Sequence, residues 1–385
     1  MTTIREVARE AGVSVGTVSN VLNDPAIVSP VTCERVLQVM RQLNYRPSAI
    51  ARSLATGRTR TFGLVVSNLF NPFTAGIVQG AGEVAREAGC SLLIACAEDD
   101  CHDVPQQVQV LQQHWVDGIF LATQPLPESV WRELRFGRTA VVIMDRDQPP
   151  AEEHASIIGF DWYMAGLQAA GHLISLGHRR IGFVGGIPGR SSSVQRERGY
   201  RKALAGADLP LDESLQRDGD YSTDSGRRCA EDLLDRPRSQ RPTALVMGND
   251  MMALGAYEAA DLLGLSVPRD LSITGIDDNY FVTHMAPPLT TVHVPTRELG
   301  GEGMRMLVSG AAGAQRVSLP TRLVTRQSTA APTPESAWRD QSSSMHTVSA
   351  ELSVPADAVA RSQGNGRKER LTSNRTGAVT APGEE

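Results

Sequence analysis

The chain has 385 residues, of which 41% are hydrophobic, and it carries a formal net charge of −5 at pH 7. This length and composition exclude fibrous and fully disordered proteins and predict a large core divided over more than one domain. The apolar runs are far shorter than the roughly 20 residues of a membrane-spanning helix, and the first residues lack the apolar stretch of a secretory signal. We therefore expect a cytoplasmic protein without a membrane partner.

The charge is distributed unevenly along the chain. Residues 1–60 contain eight arginines and four acidic residues, so a basic N-terminal part precedes an acidic remainder. A basic part of this kind is typical of contact with a polyanion, although a solvated surface has the same composition. The five cysteines show no paired spacing, and Cys96, Cys101 and His102 fit no zinc pattern. We expect free thiols, no metal site and no cofactor.

The first predicted element is a helix between a capping box at Thr3 and Glu6 and a terminating glycine at Gly12. Ser14 offers the N-cap of a second short helix. The inward face of this second helix consists of Val18, Val21 and Leu22. Two short helices joined by a glycine-containing turn predict a helix-turn-helix, although a plain helical hairpin has the same pattern. The residues that would enter a major groove of DNA are Val15, Gly16, Thr17, Ser19 and Asn20.

A third helix is predicted to start at the cap formed by Ser29 and Pro30 and to end near Asn44 and Tyr45. Its predicted core stripe consists of Val31, Val36, Leu37, Met40 and Leu43. The next residues favour a helix but supply too few turns for one that is stable alone. We interpret residues 47–60 as a hinge that becomes ordered on contact with a partner.

Six short runs stand out in the first sixty residues: TIREVA at 3–8, AGVS at 11–14, TVS at 17–19, VLN at 21–23, LNY at 43–45 and ARSLA at 51–55. With these runs, this part of the chain resembles the headpiece and hinge of the lactose-repressor (LacI/GalR) family of transcription regulators. It implies that Leu54 and its dimer mate wedge into the minor groove and kink the duplex, and a two-fold protein predicts a palindromic operator. Since Gly16 has no side chain for a base, readout rests on Val15 and Asn20. The implied DNA-binding residues are Thr3, Ser14, Val15, Gly16, Thr17, Ser19, Asn20, Asn23, Tyr45, Ala51, Leu54 and Ala55.

From residue 61 to about 330, strand-like apolar runs alternate with helical stretches, which predicts parallel sheets covered by helices in two lobes. The predicted strands are 62–67, 91–97, 118–122, 140–144, 156–160, 180–185, 244–247 and 271–275. Ligands of such folds bind beyond the carboxyl ends of the strands. There the sequence places arginine, asparagine, aspartate and aromatic residues, which suit a polyhydroxyl ligand. Any one of the polar residues could instead be a helix cap.

This body resembles the periplasmic-binding-protein-like sensor domain of the same family, with NPF at 71–73, GHRRIG at 177–182, ND at 249–250 and PPLTT at 287–291. The resemblance implies lobes of 61–161 with 293–318 and 162–291 with 319–328, and a homodimer face that includes helix 73–88. Thr74 stands where many relatives have a second aromatic residue. The implied contacts of a small-molecule effector, expected to be a sugar or sugar derivative, are Phe73, Arg146, Arg190, Ser192, Arg196, Tyr221, Asn249 and Asp277.

Two other classes of protein fit part of the pattern. A secreted sugar receptor would share the two lobes, but it needs an export signal and has no use for a helix-turn-helix. A nucleotide-dependent dehydrogenase is suggested by the glycines between 182 and 189, but their spacing is not that of the dinucleotide fingerprint.

We therefore expect an α/β transcription regulator, not an enzyme, that combines a small all-α headpiece with a two-lobed body of parallel sheets. The expected parts are the headpiece (1–46), the hinge (47–60), the sensor and dimerisation domain (61–330) and a disordered extension (331–385) with few aromatic residues. Release of repression by an inducer is the favoured response, and a corepressor remains open.

Overall fold

The computed structural model describes residues 2–45, 53, 57–98, 102–124, 126, 128–135, 139–145, 155–310 and 314–333. Over these residues the chain forms a helical headpiece and two six-stranded, largely parallel sheets, which confirms the predicted α/β class. The predictions for Ala51, Leu54, Ala55 and Arg146, and for the extension beyond residue 333, lie outside the described residues. In the described ranges, no helix combines the length and the apolar character needed to cross a membrane.

The headpiece contains α1 (Ile4–Ala11), α2 (Val15–Asn23) and α3 (Pro30–Gln42). The helices begin and end at the predicted caps. Thr3 and Glu6 form the reciprocal capping box of α1, and Gly12 ends that helix in the left-handed conformation at φ 63°. The Oγ of Ser14 accepts a hydrogen bond from the N–H of Thr17 and thereby caps α2. Apolar side chains of the three helices share one small core.

The core of the headpiece differs from the stripe predicted on α3. Val36, Val39 and Met40 are buried, whereas Val31 is 78% exposed and Leu37 is 41% exposed. Successive residues turn by about 100° around a helix. Positions 36, 39 and 40 therefore lie on one face, and positions 31 and 37 lie outside that face. The prediction was wrong for Val31 and Leu37, and it missed Val39.

The strands of the first sheet are β1 (Thr61–Val66), β2 (Ser91–Cys96), β3 (Gly118–Ala122), β4 (Ala140–Met144), β5 (Ala155–Phe160) and β11 (Arg316–Leu319). Their order in the sheet is β11-β5-β4-β3-β1-β2, and all neighbouring strands pair parallel. The helices of this lobe are α4 (Pro72–Glu87), α5 (Val104–Gln113), α6 (Glu128–Arg135) and α11 (Thr296–Ser309). The first lobe thus draws its last helix and strand from late in the chain.

The strands of the second sheet are β6 (Ile181–Gly185), β7 (Gln216–Asp218), β8 (Ala244–Met247), β9 (Ser272–Asp277), β10 (Thr290–His293) and β12 (Arg322–Val324). Their order is β12-β10-β9-β8-β6-β7, and only the pairing of β12 with β10 is antiparallel in this described sheet. Its helices are α7 (Trp162–Ser175), α8 (Ser191–Gly206), α9 (Thr223–Leu234) and α10 (Asp250–Leu262). Short 3-10 turns occupy Pro25–Ile27, Glu213–Leu215 and Tyr280–Thr283.

The described chain passes from one sheet to the other after β5, after β10 and between β11 and β12. Two of these crossings bond to each other. The N–H of Asp161 donates to the carbonyl of Leu319 over 3.2 Å, and the hydroxyl of Thr321 donates to the carbonyl of Asp161 over 3.4 Å. One main-chain hydrogen bond and one side-chain hydrogen bond therefore join these two crossings.

Within each lobe, glycines allow pairs of neighbouring helices to pack with their backbones in direct contact. On α7 and α8, a Cβ at Gly166 would lie 2.0 Å from the carbonyl oxygen of Arg196, and a Cβ at Gly199 would lie 2.1 Å from that of Tyr163. The described helix pairs α4–α11 and α9–α10 are joined by the same kind of reciprocal contact. Such crossings leave no room for any other residue type.

Candidate functional site

The headpiece presents one edge of α2 to solvent. The residues predicted to contact DNA there divide into an exposed set, Ser14, Val15, Gly16, Asn20 and Asn23, and a half-buried set, Thr17 and Ser19. Ser19 accepts a hydrogen bond from Asn23 Nδ2 over 3.2 Å. This bond fixes the two side chains relative to each other on the exposed edge of α2. Val15 and Asn20 offer a methyl surface and an amide, which can meet a thymine methyl and an adenine edge.

Two other predicted DNA contacts, Thr3 and Tyr45, lie in the headpiece outside α2. The Oγ1 of Thr3 accepts the cap hydrogen bond of α1 from Glu6 N–H, and Tyr45 packs half-buried against the headpiece core. Both residues therefore have structural roles in the headpiece. Exposed arginines on α1 and α3 could reach phosphates around the groove: Arg5, Arg9, Arg35 and Arg41.

A cleft opens where the carboxyl ends of strands from the two sheets face each other. Of the eight predicted effector contacts, seven line it: Phe73, Arg190, Ser192, Arg196, Tyr221, Asn249 and Asp277. Sequence reasoning did not include the remaining lining residues among the contacts: Ser67, Asn71, Thr74, Ala122, Thr123, Gln124, Met144, Asp145, Trp162 and Ser191. The strand-end rule could have found Thr123 and Trp162, because they follow β3 and β5 almost directly.

Four helices begin at the cleft: α4, α7, α8 and α10. Asn71, Asp161 and Asn249 cap three of them by accepting a main-chain N–H with their side chains. Asn249 is thus a helix cap, the alternative role considered for the polar residues at strand ends. Its Nδ2 also donates to the carbonyl of Tyr221 over 3.1 Å. Helix α8 differs, because its N-cap Arg190 makes no side-chain cap hydrogen bond.

Arg196 stacks on an aromatic wall of the cleft. Its guanidinium carbon lies 3.8 Å from the centroid of the Trp162 ring and 5.2 Å from that of Tyr221. Trp162 in turn packs on Phe73 and Phe160, with ring centroids 6.1 Å and 5.1 Å away. Trp162 therefore gives the cleft a second aromatic side chain, although Thr74 stands where many relatives have one.

Tyr221 is fixed by its backbone and its hydroxyl. Its φ is 70°, in a region that non-glycine residues seldom occupy. The hydroxyl bonds to Ser193 Oγ over 2.6 Å and to Ser192 Oγ over 3.3 Å. The ring covers Gly186, where a Cβ would lie 2.0 Å from it. Tyr221 thus joins the first turn of α8 to the loop after β7.

Asp277, which lines the cleft, and the nearby Asp250 are buried acidic residues. Burial raises the pKa of Asp277 to about 7, although Arg196 acts to lower it, and its Oδ1 has no hydrogen-bond partner in the described part of the chain. Burial and the nearby Asp277 also raise the pKa of Asp250. Asp250 accepts hydrogen bonds from Thr291 Oγ1 over 2.6 Å and from Asn279 N–H over 2.8 Å.

Asp278 has the opposite electrostatic surroundings. Burial alone would raise the pKa of this carboxyl, but hydrogen bonds to His293 and Arg326 outweigh burial and lower it. The distances are 3.0 Å to His293 Nδ1 and 2.5 Å to Arg326 Nη2. His293 ends β10, immediately before a crossing to the first lobe. Asp277 therefore lines the cleft, whereas the adjacent Asp278 pairs with His293 and Arg326 near the crossing between the lobes.

A helix-turn-helix headpiece joined to a two-lobed α/β body with a polar cleft defines a ligand-responsive DNA-binding regulator. The profile of the lacI family of bacterial regulatory proteins matches residues 3–48, and that of the periplasmic binding protein-like domain matches residues 170–329. The HTH-type transcriptional regulator DegA of Bacillus subtilis (strain 168) is 36% identical over 335 residues, which cover 85% of this chain and 98% of DegA. The chain belongs to the lacI family of bacterial regulatory proteins.

Solved structures agree with this assignment. A crystal structure of the lac repressor dimer bound to operator and the anti-inducer ONPF has a TM-score of 0.76 and 30% identity, over 86% of this chain and 99% of the repressor. A transcriptional regulator CelR–cellobiose complex has a TM-score of 0.65 and 33% identity, over 85% of this chain and 100% of CelR. The predicted family and the predicted function as a DNA-binding transcription regulator are confirmed.

Proposed function

We propose that this regulator binds a palindromic operator as a homodimer and that a small polar effector, a sugar or sugar derivative, changes its operator affinity. The observation that carries the proposal is the cleft, which brings seven of the predicted effector residues together between two sheets. The lac repressor and CelR neighbours were solved with an anti-inducer and with cellobiose. The proposed site is the full predicted set, with Arg146 included.

The proposed division of labour follows the predicted parts of the chain. Residues 1–46 read DNA through Val15, Asn20 and their neighbours on α2. Residues 47–60 form the hinge, in which Leu54 and its dimer mate wedge into the minor groove. Residues 61–330 bind the effector, and residues 331–385 are an extension. The regulator works in the cytoplasm, on chromosomal DNA, and catalyses no reaction.

The homodimer is supported by an apolar patch beside α4. Phe70 is 96% exposed and Leu69 is 45% exposed, and both line a surface groove together with Cys96. Contiguous exposed apolar groups commonly mark protein interfaces. A Phe70→Lys variant is expected to sediment as a monomer and to lose operator binding. A variant that remains dimeric would place the interface elsewhere.

The proposed response is a coupling between cleft and operator. An effector that binds one lobe arrangement better than another shifts the population of dimers that can bind DNA. Coupling of about 1–3 kcal/mol would change operator affinity roughly 5- to 150-fold. We propose that the effector is an inducer, which lowers the affinity for the operator. A corepressor would raise that affinity instead.

The test is selection of DNA by the purified full chain from a random library at moderate salt. The selected fragments should contain an inverted repeat, because a two-fold protein places two recognition helices symmetrically. Asn20→Ala should weaken binding to this fragment by about 1–3 kcal/mol. Gln38→Ala removes an exposed amide from α3 and serves as the matched control. Failure to prefer any inverted repeat, with or without a panel of sugars, would refute the proposed function.

A further inference from the structure

The chain enters the first lobe through a closely bonded turn. Asp117, directly before β3, accepts the main-chain N–H of Thr59 on Oδ1 over 2.9 Å and that of Arg60 on Oδ2 over 2.8 Å. The hydroxyl of Thr59 lies 3.0 Å from Asp117 Oδ1 and 2.8 Å from the carbonyl oxygen of Trp115. Hydrogen bonds to an ionised acceptor are stronger than those between neutral groups. We refer to Asp117, Thr59 and Arg60 together as the entry anchor.

The backbone within the entry anchor and beside it is strained. Arg60 has a φ of 54°, and so does Trp115. Such conformations cost free energy in residues other than glycine and persist only where surrounding contacts hold them. Arg60 is held on both sides, because its N–H donates to Asp117 and its carbonyl accepts the N–H of Ser91 over 2.8 Å. The direction in which the chain enters β1 is therefore fixed.

The entry anchor is also bonded to a helix of the predicted homodimer face. Arg60 Nη2 donates to the carbonyl of Ala88, the C-cap residue of α4, over 2.9 Å. Helix α4 lies in the part of the chain that was predicted to contact the second protomer. In a dimer built on this face, the separation between the two entry anchors is therefore set by the first lobes.

The position of the entry anchor limits how far each headpiece can reach. Residues 46–58 connect the headpiece to Thr59. Without the bonds to Asp117, Thr59 and Arg60 would join this connection and lengthen its maximum span by about 7 Å in each protomer. Since a duplex rises by about 3.4 Å per base pair, this extra length corresponds to about two base pairs for each half-site.

We propose that Asp117 is a specificity-determining residue for the spacing of the operator half-sites, because it fixes the point from which each hinge leaves the body. The inference rests on the proposed function, since it states how the homodimer distinguishes one inverted repeat from another. Two linked binding modules gain affinity from each other only where the connection lets both bind at once. A fixed starting point therefore favours one spacing, whereas a longer connection allows several.

The experiment is a parallel selection from one library of random-sequence duplexes with the full chain, Asp117→Ala and Asp117→Asn. The unmodified chain should select inverted repeats of a single spacing. Asp117→Ala removes both acceptor oxygens and should select the same half-sites at several spacings. Asp117→Asn keeps one acceptor oxygen and should give an intermediate distribution.

Affinities for the fragment selected by the unmodified chain give the size of the effect. One base pair inserted at its centre should weaken binding by the unmodified chain at least about tenfold, and binding by Asp117→Ala about twofold or less. A residue that merely stabilises the fold would change the affinities for all spacings together. The ratio between the two fragments therefore reports on the entry anchor itself.

Asp103→Ala is the matched control. Asp103 directly precedes α5, at the opposite end of that helix from Trp115, and it also accepts a main-chain N–H, that of Glu98, over 2.9 Å. Its removal should leave the single spacing unchanged. Sedimentation and thermal unfolding show that each variant is dimeric and folded, and Asp117→Asn keeps the test valid if Asp117→Ala does not fold.

The unmodified chain and the variants answer different questions. If the unmodified chain selects no inverted repeat, the proposed function fails and the inference fails with it. If the unmodified chain selects one spacing and the folded Asp117 variants select the same single spacing, only the inference is overturned. It is also overturned if the unmodified chain already accepts several spacings, or if the folded, dimeric Asp117 variants select no repeat at all.

Discussion

The main-chain oxygen of Arg196 lies where the side chain of any residue larger than glycine at position 166 would have to be. A Cβ on Gly166 would be 2.0 Å from that oxygen. This backbone contact fixes α8 against α7, and Trp162 occupies the first turn of α7. The same helix crossing therefore places the Arg196 guanidinium over the Trp162 ring.

Gly166→Ala is expected to lower the free energy of unfolding by about 1–3 kcal/mol, because the added methyl group must push α7 and α8 apart. It should also weaken effector binding, since Arg196 moves with its helix. The matched control is Gly171→Ala on the same helix, where a Cβ meets no atom within 4 Å. That substitution should stabilise the protein by up to about 1 kcal/mol. Urea unfolding measures both changes, and equal effects would contradict the packing argument.

Gly16 on α2 gives the converse prediction. A Cβ there would meet only Ser14 Oγ, at 3.6 Å, so packing does not require glycine. Gly16→Ala should stabilise the headpiece by up to about 1 kcal/mol, since alanine favours a helix. Gly12→Ala should destabilise it by about 1 kcal/mol or more, because φ is 63° at that position. Amide hydrogen exchange in the headpiece distinguishes the two, and selection of DNA shows whether the Gly16 variant prefers another base.

The buried carboxyl of Asp277 predicts a pH dependence of stability. Burial raises its pKa in the folded protein to about 7, whereas an unfolded aspartate titrates near about 3.9. Between these values the folded state keeps a proton that the unfolded state releases, so this contribution falls as pH rises. Asp277→Asn should therefore gain stability relative to the unmodified chain between pH 5 and pH 8, measured by urea unfolding at both pH values.

Asp278→Asn is the matched control for Asp277→Asn. The pKa of Asp278 is lowered, because the bonds to His293 and Arg326 outweigh burial. A lowered pKa stabilises the fold above about 4 and loses this effect only at more acidic pH. In a His293→Gln background, which removes the titratable partner of Asp278, the cost of Asp278→Asn should therefore be equal at pH 5 and pH 8. If the stabilities of the two variants changed with pH in the same way, the pH dependence could not be assigned to the buried carboxyl of Asp277.

His178 is expected to be a stability determinant at the opposite end of the second sheet. Its ring bonds to Thr243 Oγ1 over 2.8 Å, Ser272 Oγ over 3.1 Å and the carbonyl of Ala330 over 2.9 Å. His178→Ala should cost about 2–4 kcal/mol, since it opens a cavity and leaves buried polar groups unpaired. His172→Ala, which loses a bond to Thr329, should cost less.

The pKa of His178 is lowered mainly by burial. Below about pH 6.5, His178 therefore becomes protonated in the unfolded chain while it stays neutral in the folded chain. The stability contributed by neutral His178 should decline as pH falls below this value, and His178→Ala should lack that decline. Thermal unfolding between pH 5 and pH 8 measures the difference, and a decline that persists in the variant would assign it to another group.

The elements that could be predicted are those with a clear local signal. Capping residues located α1 and α2, and continuous buried runs located eight of the strands. The four missed strands, β7, β10, β11 and β12, contain three or four residues each, and polar residues interrupt all of them. They therefore lack the continuous apolar run that located β8, which is equally short. Val31 and Leu37 were misplaced because an apolar residue on a short helix does not reveal which neighbour covers it.

The candidate site shows the same limit. The residues at strand ends, such as Asn249 and Asp277, are recognisable because the carboxyl edge of a parallel sheet gathers them. Trp162 was missed as a contact, since its role depends on the crossing of α7 with α8. The pairing of Asp278 with Arg326 joins residues that are 48 positions apart, and no local pattern indicates it.

The order of the strands has a consequence for synthesis. Strand β11 completes the edge of the first sheet beside β5, and β12 completes the edge of the second beside β10. A nascent chain that has emerged only to residue 310 therefore presents two unpaired strand edges at once. The same short stretch of chain then supplies the last strand of both lobes, so a chain that stops before it leaves neither lobe complete.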